Sequence, residues 1–171
     1  MALTMYDASV TVFLHNLKQL SHLLDKAEAH AKEKGVEPAT LFNARLADDM
    51  LPFVTQVQIA CDSSKLALGR LTGLEMPRYA DDETTFEQLR ARIAKTRDLL
   101  KSAPRDAFQG SEEREVKFKA GPVDVEFTGQ SYLLHFALPN FFFHVTTAYA
   151  ILRHNGIEIG KPDFIHQVIT A

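Results

Sequence analysis

Asn140 and His144 stand four residues apart in a phenylalanine-rich stretch, so on a helix they share one face. An imidazole there can take or give a proton near neutral pH, ligate a metal, or hold a ligand through either ring nitrogen. Thr147 and Ile151 continue the same face. His144 is therefore the candidate catalytic or metal-ligating side chain, and Asn140 a pocket candidate beside it. An earlier segment supplies two more pocket candidates. Asp49 and Gln56 are seven residues apart, hence on one face of a second helix, and can complete a site opposite His144. Each has a plainer alternative. His144 can be a core histidine satisfied by a neighbour. Asp48 and Asp49 can be carboxylates placed favourably near a helix start, with Gln56 exposed.

The remaining reactive side chains carry weaker signals. His135 lies across Pro139 from His144, and His154 falls where a helix ends. His15 and His22 share a face about 200° from the stripe that contains Phe13 and Leu20, which places them at the surface. His30 and His166 read as surface or terminal. Cys61, the single cysteine, lies on an apolar stripe and reads as a buried, inert thiol. A lone cysteine excludes an internal disulfide and every zinc motif built on paired thiols. Nucleophile elbows, phosphate loops, HExxH and dinucleotide glycine patterns are absent.

These residues need elements to position them. Apolar side chains recur at spacings of three and four over 4–32, from Leu3 through Phe13, Leu17 and Leu20 to Ala27, which predicts a long helix ended by Gly35 and Pro38. A second helix is predicted over 43–71, where Pro52 either starts the helix or kinks it. A third spans 86–102, with Thr84 and Glu87 as a capping pair, Phe86, Leu89, Ile93 and Leu100 inward, and Arg90, Arg92, Lys95 and Arg97 solvated. Val116 and Phe118, then Val123, Val125 and Phe127, alternate around Gly121-Pro122 and predict a β-hairpin that must lie against helices or a partner. A fourth helix spans 131–154, broken or kinked at Pro139. Internal prolines in both site-bearing helices predict paired kinks and a pocket between them. The fold class is all-α, a four-helix bundle with a small hairpin between the third and fourth helices, in one domain over residues 1–171.

Composition narrows the function classes. The 171 residues carry a net charge of −3 with 46% apolar side chains and no tryptophan. No basic patch fits nucleic acid, and no apolar run fits a membrane span. No signal peptide is recognisable, so a cytoplasmic location is expected.

Two blocks, MLPFVTQVQIACDSSK and FTGQSYLLHFALPNFFFHVTTAYAILRHNGIEIGKPDF, together with the pattern of the first segment, resemble the family called domain of unknown function 1993. That family lies within the DinB/YfiT-like superfamily. The resemblance implies an up-down-down-up bundle, a homodimer, and, in the wider superfamily, a divalent metal held by three histidines, one on helix two and an HxxxH pair on the last helix. Matching on Leu152-Arg153 and Gly156 puts His144 at the second histidine of that pair and Asn140 at the first. Helix two offers Asp49, Gln56 or Asp62 instead of histidine. The metal site is thus expected to be degenerate, with no tightly bound metal or other cofactor. Two functions are expected to compete: a small-molecule-binding bundle using His144, with metal-dependent thiol transfer and hydrolysis as superfamily analogies, and a non-catalytic dimeric interaction or stress-related protein.

Overall fold

The computed structural model describes residues 3–165. It is mostly helical, with one two-stranded sheet. Four long helices, α1 (Val12–Lys34), α3 (Phe53–Thr72), α4 (Phe86–Lys101) and α6 (Leu138–His154), enclose the core. Short helices α2 (Pro38–Phe42), α5 (Gly129–Tyr132) and α7 (Lys161–Ile165) lie in the connections. Helical winding begins before α1. Thr4 caps it by accepting the Asp7 amide at 3.1 Å, and a wide π turn, Asp7–Thr11, leads in. The predicted stripe then buries Phe13, Leu17, Leu20, Leu24 and Ala27 completely or nearly so. Phe13 meets Phe141 of α6 edge-on, with ring centroids 4.9 Å apart.

α3 starts later than its sequence pattern predicts. Pro52 is extended, with φ −72° and ψ 166°, and serves as the N-cap residue of a helix running from Phe53. It therefore kinks nothing: a ring with no amide hydrogen fits where a helix has no use for that donor. Asp48 and Asp49 fall in the preceding turn, exposed and off the helix. The capping pair of α4 is also displaced by one residue. Thr85 accepts the Gln88 amide at 3.2 Å, and the Gln88 carboxamide oxygen accepts the Thr85 amide at 3.1 Å.

The hairpin pairs β1 (Glu115–Ala120) with β2 (Val123–Thr128) antiparallel, Val116 opposite Phe127 and Phe118 opposite Val125. It docks through one face. Phe118 and Phe127 join Tyr132 and Phe136, and Arg70 of α3 lies 3.7 Å over the Phe118 ring while donating to the Tyr132 hydroxyl at 3.0 Å. Gly129 follows β2 where only glycine fits, since a Cβ there would lie 1.9 Å from the Ser111 carbonyl oxygen.

From Gly129 to His154 the chain stays helical through Pro139. Leu138 keeps φ −65° and ψ −49°, and the expected break is replaced by a π turn over Leu133–Ala137. A widened turn leaves room for a residue with no amide hydrogen, so the helix continues through the proline. Pro52 lies ahead of its helix and cannot bend it, so the expected pair of kinks is not formed. After Gly156 the chain turns back, and α7 packs on α1 through Asp163, which pairs with Lys26 at 2.8 Å and His22 at 3.1 Å. His166 lies outside the described residues. Among the described residues no helix is long and apolar enough to cross a membrane.

Candidate functional site

α3 and α6 run side by side, and their shared edge is polar at two places. Gln56 is buried on α3, and its Nε2 donates to the Leu51 carbonyl at 3.0 Å. Its Oε1 therefore turns toward α6, where His144 Nδ1 lies 2.7 Å away. A carboxamide oxygen can only accept, so Nδ1 carries the proton and the second nitrogen, Nε2, has its lone pair free. No hydrogen bond among the described residues involves Nε2. His144 is 8% exposed, and burial pulls its pKa below the usual 6.5. The imidazole is thus neutral at pH 7, fixed in one tautomer by Gln56.

One turn earlier on α6, Asn140 donates from Nδ2 to Ser63 Oγ of α3 at 2.7 Å. The seam therefore holds two interhelical pairs, Gln56 with His144 and Ser63 with Asn140. Asn140 does not bond His144 directly. Outside the seam lie Phe143, 57% exposed and edge-on to the His144 ring at 5.2 Å, and Leu66 of α3.

The other predicted residues are elsewhere. Asp49 is in the turn before α3 and cannot share a helical face with Gln56. His135 is exposed, its Nδ1 3.2 Å from Ser131 Oγ. Asp62 points to the opposite edge of α3, where it pairs with Lys65 at 2.7 Å and Arg92 at 3.0 Å. Cys61 is fully buried, and burial pushes its thiol up to about 12. Among the described residues no three His, Cys, Asp or Glu side chains gather as metal ligands. The donors at the seam also do not reproduce the superfamily's three histidines: one nitrogen of His144 is committed to Gln56, Asn140 presents an amide to Ser63, and Asp62 is neutralised by two cations.

Sequence patterning alone misses the most heavily charged interior of the protein. Arg92 is buried rather than solvated. It reaches Asp62 at 3.0 Å, Asp81 at 2.9 Å, Glu83 at 3.0 Å and the Ala80 carbonyl at 2.7 Å. Burial works against its charge, but the Glu83 hydrogen bond and the Asp62 carboxylate outweigh it and raise its pKa. Burial likewise pushes Glu83 up, but hydrogen bonds from Gln58 and Arg92 hold it below its usual value. The signal was present: Arg92 is three residues from Leu89 and four from Thr96, on the flank of the inward stripe, and carboxylates cluster at 81–83.

Fold and seam together define a helical protein of the DinB type. The structure is similar to the crystal structure of a DinB family member protein from Shewanella denitrificans, with a TM-score of 0.89, 40% sequence identity, and coverage of 94% of this chain and 91% of that one. No functionally curated protein matches the sequence. The pattern of DUF1993, a domain of unknown function, matches residues 5–165, and the chain belongs to that family.

Proposed function

We propose that this chain is an up-down-down-up bundle that binds a small molecule at the α3–α6 seam, with neutral His144 as its recognising group and without a resident metal. The reading rests on how the imidazole is divided. Nδ1 is spent on Gln56 at 2.7 Å, which fixes ring orientation and tautomer, while Nε2 remains a free acceptor. Any neutral imidazole has one N–H and one lone pair. What supports a ligand here is that the lone pair has no donor among the described residues, so a hydroxyl, thiol or amide hydrogen can supply one. With such a group bound, Nε2 can accept its hydrogen bond or take its proton as a general base. The lowered pKa keeps that lone pair available at neutral pH.

The experiment is 15N NMR of histidine-labelled protein titrated with small alcohols, thiols and amides. At least one is expected to shift the His144 Nε2 resonance while leaving the exposed His135 resonances unmoved. If Nε2 responds to none of them, the imidazole is a packing element and the reading fails.

A second reading, an interaction protein that pairs with its own copy, is supported by Phe143 and Leu66, 57% and 41% exposed on the two helices that form the seam. A monomeric mass by light scattering, unchanged in Phe143→Asp, would remove it.

A further inference from the structure

The connection between α3 and α4, residues 73–85, has neither helix nor strand. Connections of this length without internal structure are uncommon in compact domains and tend to be functional. It starts at Gly73, whose φ of +79° suits glycine. Between Leu74 and Thr84 its main chain forms no backbone–backbone hydrogen bond. It is held by side chains instead. Arg92 grips the Ala80 carbonyl, Asp81 and Glu83; Gln58 donates to Glu83 at 2.9 Å; and the Tyr79 ring enters a group of cations. Lys65 Nζ is 3.9 Å from the ring centroid, Lys95 Nζ 4.4 Å and Arg92 Cζ 5.3 Å. A segment tied down this way can open without unfolding the helices beneath it.

Tyr79 is an imperfect occupant. Its hydroxyl is buried and reaches only toward Thr96, without a hydrogen bond of good geometry. The Arg92 Nε, on a side chain only 2% exposed, is likewise unpartnered. When the segment lifts, it takes away the aromatic ring and two carboxylates, Asp81 and Glu83. Lys65, Arg92 and Lys95 then face Asp62 alone. Arg92 and Lys65 are buried and Lys95 is exposed at their rim; buried cations short of partners are costly, so the open face favours something that restores both a ring and negative charge. A cavity of about 340 Å³ already adjoins this place, lined by Arg78, Tyr79, Glu83, Gln88, Arg92 and Lys95 among others.

We propose that residues 73–85 form a liftable strap whose Tyr79 ring and carboxylates fill, as a built-in occupant, a slot between α3 and α4 that takes a small aromatic acid. The slot lies on the opposite edge of α3 from His144, and its existence does not depend on the seam reading.

Cys61, the only thiol of the chain, is fully buried and reports opening. Its labelling by a disulfide reagent is measured under native conditions in full-length protein, with 4-hydroxybenzoate as the probe. Tyr79→Ala is expected to raise the labelling rate at least tenfold, and Tyr79→Phe to leave it within twofold. 4-Hydroxybenzoate is expected to bind Tyr79→Ala in calorimetry and slow its labelling at least fivefold. Lys95→Ala in that background is expected to weaken binding at least fivefold, and benzyl alcohol, which lacks the carboxylate, not to bind. Should Tyr79→Ala fail to fold by circular dichroism, Asp81→Asn with Glu83→Gln, which loosens the strap but leaves the ring as a competitor, is expected to raise labelling at least fivefold and to be protected by 4-hydroxybenzoate only at higher concentration. Unchanged labelling in the folded variant overturns the strap. Faster labelling without binding or protection by 4-hydroxybenzoate, or equal binding of benzyl alcohol, overturns the slot.

Discussion

α3 has two edges, and they solve the burial of polar groups in opposite ways. Toward α6 the partners are neutral: a carboxamide with an imidazole, and a hydroxyl with a carboxamide. Toward α4 they are ions, with Arg92 and Lys65 set among Asp62, Asp81 and Glu83. Loss of one member strands the other on either edge, but a stranded neutral group costs about 1–3 kcal/mol and a stranded buried ion about 3–5 kcal/mol. The neutral edge therefore tolerates single changes better than the ionic edge does.

This contrast predicts a graded series. Arg92→Met leaves Asp62 with Lys65 alone and Glu83 with only the neutral Gln58, and should cost about 3–5 kcal/mol in urea unfolding, the largest loss of the set. A loss below about 1 kcal/mol would show that water reaches these carboxylates and would erase the distinction between the edges. Gln56→Leu leaves the His144 Nδ1–H without an acceptor and should cost about 1–3 kcal/mol. Gln56→Leu with His144→Phe should recover part of that loss, as measured by a double-mutant cycle.

The pH dependence sharpens the neutral side. Because burial lowers the His144 pKa, the unfolded chain takes up its proton first as pH falls below 6.5. Stability should be complete above that value and decline on acidification until the folded pKa is passed. His144→Phe should flatten this part of the profile; if it does not, the imidazole is open to solvent.

The smallest effect belongs to the α1–α7 contact, away from both edges. Burial would raise the Asp163 carboxyl, but Lys26, the Gly160 amide and His22 bring it down to about 2. Its contribution is present above the unfolded value of 3.8 and is lost as pH falls through about 2. Asp163→Asn should cost about 1 kcal/mol or less, seen as faster amide exchange over 161–165.

The long helices and the hairpin are legible in the sequence because apolar spacing dominates them: period near 3.6 in α1, α3 and α4, and period two around Gly121-Pro122. Gln56 opposite His144 is legible only as one of two readings, since a polar residue beside an apolar stripe can equally well turn to solvent. Asp49 is misplaced because the stripe of α3 continues through Leu46 and Met50 although Pro52 delays the helix. Arg92 is misread because a long charged side chain on the flank of a stripe normally reaches water. Here its partners come from 80–83, which carry no periodic signal. Pro139 does not break its helix, and the π turn that accommodates it leaves no mark in composition.

The π turn at Leu133–Ala137 also sets the phase of α6. Such a bulge amounts to one surplus residue in an otherwise regular winding. Excising that surplus would rotate every downstream position by about 100° about the helix axis. His144 would swing off Gln56, Asn140 off Ser63, and Phe141 out of the interior. One loosely wound loop of backbone, some two turns upstream, thus acts as the vernier that aligns the imidazole.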